Sequence, residues 1–259
     1  MFGLRPKLPV TEEERLWVDE GFRRLGRMLG SSRLQNATVI LPTDEFFPDP
    51  WDGTESALKA LFWRVCGYMG VNPSQVELAI IPDSSELIEM LPAYSYKPAG
   101  PAGLHYGGDD ENEQERPLIA VRYSLLKDPL SVVATLAHEL GHVILLDGGH
   151  MQRDADDMEP MTDLVTVYLG LGVFTANASR RFLKYQKDRL EGWSMSRLGY
   201  LPETVFGYAL ACFAKERGEV QPAWAEELST NLSAWFRQSA AWLGKASPRL
   251  ENAGIYRRR

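Results

Sequence analysis

"TLAHELGHVILL", residues 135–146, sets two histidines and a glutamate in an otherwise apolar run. Burying such groups on a greasy helix costs several kcal/mol unless each is satisfied. Residues four apart share one face of a helix, so His138 and His142 present two imidazoles in one direction. That is how a helix offers two nitrogen ligands to one zinc ion. Glu139 is one step round, at the edge of that face, where it reaches a metal-bound water without ligating the metal. Zinc lowers the pKa of such a water, and a carboxylate so placed takes its proton during attack on a carbonyl. Val132, Val133, Leu136, Leu140, Val143 and Ile144 give the same helix a core-facing side. Asp128 and Pro129 supply its N-cap and first-turn proline, and Asp147-Gly148-Gly149 its stop.

A catalytic zinc needs a third protein ligand. One arrangement places another histidine six residues after the second, but that position is Gly148 and His150 comes two residues too late. The other arrangement takes a glutamate from the following helix. "EPMTD" (159–163) offers Glu159, and Asp163 lies one turn later on the same face. A carboxylate there can hold the outer ring nitrogen of His138 or His142. Pro160 is tolerated if the helix starts near Asp157, because first-turn amides have no helical partner. On spacing alone, Asp154, Asp156, Asp157 and Asp163 stay open as alternative third ligands.

Outward from this centre, Thr11 and Glu14 form a capping box that opens a helix to about Gly30. "ATVILP" (37–42) reads as a short strand and 42–53 as a loop. Thr54–Gly70 alternates at helical period through Leu58, Leu61, Phe62, Val65, Tyr68 and Met69. "QVELAIIPD" (75–83) and "PLIAVRYSLL" (117–126) read as strands. "SSELIEMLPAY" reads as a helical turn and loop, and residues 97–116 as a surface hairpin or loop. "MEPMTDLVTVYLGLGVF" reads as one helix, followed by helices over 178–198, 203–217 and 222–244. Strands first and helices later predict an α+β fold: a small mixed sheet, then a mostly helical C-terminal half. We expect a single domain over 1–259, with an α/β part at 1–126, the two site-bearing helices at 129–175 and a helical part at 176–245.

The chain has 259 residues and a net charge of −7, which gives no electrostatic case for general nucleic-acid binding. The basic "YRRR" (256–259) reads as a solvated tail. Cys66 and Cys212 lie in apolar surroundings and read as buried free thiols. The N-terminal segment lacks a signal-peptide apolar core, and no run approaches the ~20 apolar residues of a membrane span. The expectation is therefore a cytoplasmic protein with no membrane partner.

"HELGH" followed by Glu159 and Asp163 resembles the gluzincin branch of zinc metallopeptidases. The stretches "EPMTDLVTVYLGLGVFTANA" and "GYLPETVFGYALACFA" also look like uncharacterised bacterial proteins of this metalloprotein type. The specific match covers roughly 117–175. It implies a zincin-like core in which His138, His142 and Glu159 hold Zn2+, Glu139 is the general base and Asp163 orients a ligating histidine. It also implies a peptide or protein substrate, and "PLIAVRY" as the edge strand that pairs with it. Enzymes of this type carry a Tyr or His that stabilises the oxyanion. Tyr200, Tyr208, His150 and His105 are the candidates, and sequence selects none. The alternative is a metal-retaining interaction module, with little or no catalysis, built on the same fold and using the Trp-rich last helix as a partner surface.

Overall fold

The computed structural model describes residues 7–82, 103–106, 116–152, 155–186 and 201–246. Helix α1 (Glu12–Leu29) opens on the expected capping box: Thr11 Oγ1 accepts from the Glu14 amide, and the Glu14 carboxylate accepts from the Thr11 amide at 2.6 Å. Its buried stripe is Val18, Gly21 and Leu25. After the short α2 (Ser31–Gln35) comes α3 (Glu55–Met69), capped by Thr54 and closed by Gly70 in the left-handed conformation. Leu58, Leu61, Phe62, Val65, Cys66 and Met69 form its buried face, matching the 3.6-residue period of the sequence.

Residues 37–42 are not a strand. The segment has no sheet neighbour among the described residues, and the Ile40 amide instead donates to the Gly170 carbonyl at 2.9 Å. Gly170 has φ +90°, and a side chain there would run into the Thr38 carbonyl. The β-rich composition of "ATVILP" thus serves burial of Ile40 rather than strand pairing.

Three strands form a mixed sheet in the order β1-β3-β2: β1 (Glu77–Ile81), β2 (Gly103–Tyr106) and β3 (Leu118–Arg122). β1 runs parallel to β3 with Ala79 opposite Ala120, and β2 runs antiparallel with Leu104 opposite the same Ala120. This corrects two expectations. β2 lies inside the stretch read as a surface hairpin or loop, and "PLIAVRY" supplies the central strand, not the edge. Ile119, Ala120 and Val121 are fully buried on β3, as a strand covered on both sides requires.

The C-terminal part is helical: α4 (Pro129–Asp147), α5 (Met158–Tyr168), α6 (Gly172–Gln186), α7 (Glu203–Glu216) and α8 (Thr230–Ala246). The single helix expected over "MEPMTDLVTVYLGLGVF" is two, α5 and α6, broken at Gly170 by its positive φ. The last expected helix likewise begins as a 3-10 turn over Ala223–Glu227 before α8. Asn177 on α6 ties this turn down, donating to the Glu227 carbonyl at 2.9 Å and accepting from the Ser229 amide at 2.8 Å. Arg217 closes α7, donating to the carbonyls of Leu34 and Ala37 at 2.9 and 2.7 Å. The readings placed on 84–94, on 187–198 and on the "YRRR" tail lie outside the described residues.

Val18, Leu58, Val121, Leu140, Leu164, Phe206 and Phe236 belong to one continuous cluster of buried side chains. It joins α1, α3, β3 and α4 to the C-terminal helices. Helix α4 runs through it. Pro129–Leu146 is long and apolar enough to cross a membrane, with mean hydropathy 1.5, where the sequence reading found no such run. In this fold 78% of that stretch is buried, so its apolar surface faces protein. The fold is mixed and mostly helical, as the α+β reading expects.

Candidate metal centre

α4 starts on Asp128, whose carboxylate accepts from the Ser131 amide and hydroxyl, and proceeds from Pro129 at the first turn. His138, Glu139 and His142 lie in its middle turns, each less than 5% exposed. α5 is brought against this face at one tight point. A Cβ on Gly141 would lie 2.8 Å from Thr162 Cγ2 and 3.2 Å from the Thr162 carbonyl oxygen. The glycine inside "HELGH" therefore lets the second helix approach the first. On α5, Glu159 and Pro160 occupy the first turn after the Asp157 N-cap, as the sequence requires. Asp157 itself pairs with Arg24 of α1 at 2.5 Å, which fixes the start of α5.

Glu159, Thr162 and Asp163 share one face of α5, and all three reach the histidines. Asp163 Oδ1 accepts from Nδ1 of His138 at 2.9 Å, and its Oδ2 accepts from the Leu201 amide at 2.8 Å. Nδ1 of His142 lies 3.3 Å from Thr162 Oγ1. The Thr162 hydroxyl spends its proton on the Met158 carbonyl at 2.8 Å, so its oxygen accepts from His142. Both Nδ1 atoms are thereby N–H donors, which leaves both Nε2 lone pairs for a metal. The two Nε2 atoms converge on one oxygen, Glu159 Oε2, at 3.1 and 3.3 Å.

His138, His142 and Glu159 are positioned to bind a metal ion: their ligand atoms all lie within 4.8 Å of one another. Two imidazole lone pairs aimed at a carboxylate oxygen repel it unless a cation stands between them. Burial alone would lower the pKa of His138, but Asp163 and Glu159 override it and raise it well above the ordinary histidine value. Burial likewise opposes ionisation of Glu159, yet the two imidazoles hold its carboxyl well below the usual range. The donor set thus fits a divalent cation.

Glu139 is buried beside the triad and outside it. Burial pushes its carboxyl up to about 8, against the pull of His138. Its Oε2 has no hydrogen-bond partner among the described residues. A buried carboxylate near neutrality with an unused oxygen is suited to taking a proton from a water.

The other candidates fall away from this centre. Among the alternative third ligands, Asp157 is paired with Arg24, Asp156 is exposed, Asp163 binds the outer nitrogen of His138, and Asp154 lies outside the described residues. His150 is exposed just past the end of α4. The Tyr208 hydroxyl donates to Asp19 of α1 at 2.8 Å, on a cavity that shares no residue with the triad. Tyr200 and the side chain of His105 lie outside what the structure describes. Thr162 and the Leu201 amide were not read from the sequence. Thr162 carries a signal in retrospect, since it stands one turn from Glu159 on the ligand face. The Leu201 contact is long-range and has none.

In comparisons with known proteins, no family model, curated protein or solved structure matches the chain.

Proposed function

We propose that this chain is a zinc-dependent hydrolase, a metallopeptidase of gluzincin type on a zincin-like core. The observation that supports it is the convergence of His138, His142 and Glu159 within 4.8 Å, with the buried Glu139 carboxyl alongside. Two histidines and a carboxylate are a catalytic rather than a structural zinc set, because three protein ligands leave a coordination position open. The zinc, when bound, would supply Lewis acidity and a water of lowered pKa. The chain's own residues do the rest. Asp163 and Thr162 hold the two imidazole planes from behind, each through an Nδ1–H. Glu139 accepts the proton of the attacking water and returns it to the leaving amine. In the gluzincin plan an extended peptide pairs with a strand bordering the cleft. β2 would take that part, since it flanks β3 at the margin of the sheet and contacts α4.

The test is a peptide-library digest with zinc-loaded protein, with and without chelator, beside Glu139→Gln. Cleavage that chelator abolishes, and that Glu139→Gln loses while keeping its metal, is the expected result. Full activity in Glu139→Gln would sink the mechanism.

One observation favours the second reading, a metal-retaining interaction module. The cavity between α1, α2, α7, α8 and the end of α5, about 620 Å³, is lined by Phe22, Tyr168, Tyr208 and Trp242 and shares no residue with the triad. Tight zinc binding with no cleavage of any library peptide would select it.

A further inference from the structure

Helices α1, α3 and α4 are capped in the same way. The side chains of Thr11, Thr54 and Asp128 each accept from the amide three residues on, those of Glu14, Ala57 and Ser131. Helix α5 starts on Asp157, a residue type well suited to that role, yet its side chain makes no capping bond. The residue three on is Pro160, which has no N–H to give. The Asp157 carboxylate turns instead to Nη1 of Arg24 on α1, 133 residues away in sequence, at 2.5 Å. Both partners are partly buried.

Glu159 stands two residues inside this start. Asp157, Met161 and Leu164 lie at i, i+4 and i+7, along one face of α5. That face meets α1: a side chain on Gly21, one turn before Arg24, would run into Leu164 and lie 3.8 Å from Met161 Cε. Glu159, Thr162 and Asp163 lie on another face and reach His138 and His142 of α4. Helix α5 is therefore held between α1 and α4, and its uncapped first turn carries Glu159.

We infer that Arg24 is a positioning residue for Glu159: its ion pair with Asp157 stands in for the missing cap and fixes the first turn of α5, so that the Glu159 carboxylate meets the two imidazoles. The inference rests on the reading of His138, His142 and Glu159 as a metal site. It extends that site to α1, which the H-E-x-x-H spacing and its downstream glutamate do not encode. The sign of the effect separates anchoring from charge. Removing the Arg24 cation would, by electrostatics alone, strengthen the binding of a divalent cation. Loss of the anchor weakens it.

The test is metal binding by the full-length protein in wild type, Arg24→Gln, Arg24→Lys, Asp157→Asn and the double variant Arg24→Gln/Asp157→Asn, with folding followed by circular dichroism. Zinc affinity is read by competition titration, and ligand geometry by the visible spectrum of the cobalt(II)-loaded protein. Arg24→Gln should bind zinc about 2–5-fold more weakly, the range for a partly exposed ion pair, and should shift the cobalt bands. Arg24→Lys should recover both. Asp157→Asn breaks the same pair from the other side and should shift the bands as well. The double variant should bind zinc no more weakly than Asp157→Asn alone. Zinc affinity that is unchanged or raised in Arg24→Gln overturns the proposal, as do wild-type cobalt bands in Asp157→Asn. A wild-type protein that binds neither metal overturns the site and this inference with it. One that binds metal normally but cleaves no peptide refutes the hydrolase reading alone, and weaker zinc binding in Arg24→Gln then still supports the anchor.

Discussion

Asp163 touches His138 with one carboxylate oxygen and the Leu201 amide with the other, at 2.9 and 2.8 Å. One buried side chain thus fixes the tautomer of an imidazole positioned to bind a metal and anchors the chain entering α7. The two tasks separate by substitution. Asp163→Asn keeps an oxygen for Leu201 but weakens the hold on His138, and should lower zinc affinity about 10–100-fold with little loss of stability. Asp163→Ala leaves the Leu201 amide unpaired and should cost a further ~1–3 kcal/mol. Zinc competition titration and urea unfolding of the two variants separate these effects.

Gly141 sets the distance between the two site-bearing helices. Alanine in a helix ordinarily gains about 1 kcal/mol over glycine. Here the added methyl meets Thr162 Cγ2 at 2.8 Å and must push α5 away. Gly141→Ala should therefore destabilise the protein by ~1–3 kcal/mol and weaken metal binding, because Glu159 and Thr162 move with α5. A more stable variant with unchanged zinc affinity would contradict the close approach.

Gly170 carries the junction of α5, α6 and the segment at 37–42. Its φ is +90°, and a methyl there collides with the Thr38 carbonyl. Gly170→Ala should cost more than the ~1 kcal/mol of an ordinary glycine substitution, read as a lower urea midpoint. Zinc affinity should change less than in Gly141→Ala, since the junction lies at the far end of α5 from Glu159.

Cys66 and Cys212 are buried free thiols, and burial pushes both up to about 12. In the unfolded chain a thiol ionises near 8.5. Between those values the unfolded state holds fewer protons than the folded one, so stability falls as pH rises from about 8.5 towards 12. Urea midpoints at pH 8 and 10 should show this decline, and it should shrink in Cys66→Ala and Cys212→Ala relative to their own pH 8 values. A thiol reagent at pH 8 should react with neither cysteine until the protein unfolds.

Local signals in the sequence translated directly into structure. Thr11 and Glu14, the Thr54 cap with its apolar period, and Asp128-Pro129 each specify a helix start through contacts within one turn. The triad was legible for the same reason: His138 and His142 share a face by geometry, and Glu159 lies at the start of the next helix. What sequence left open depends on contacts between distant segments. Asp163 could serve either histidine, and only the crossing of α5 over Gly141 assigns it to His138. "ATVILP" has strand composition, yet its one notable backbone partner is Gly170, far along the chain. The place of β3 at the centre of the sheet depends on β2, whose "GLHY" sits in a stretch rich in Gly and Pro. Gly170 looked tolerable inside a helix because sequence does not reveal the sign of φ.

The central claim is that His138, His142 and Glu159 together hold one metal ion. It is tested most directly by zinc stoichiometry after equilibrium dialysis of wild type, His138→Ala, Glu159→Ala and Glu139→Gln, with folding checked by circular dichroism. The account predicts about one zinc per chain in wild type, the same in Glu139→Gln, and loss of the bound metal in the other two. A folded Glu159→Ala protein that retains zinc with undiminished affinity would contradict it.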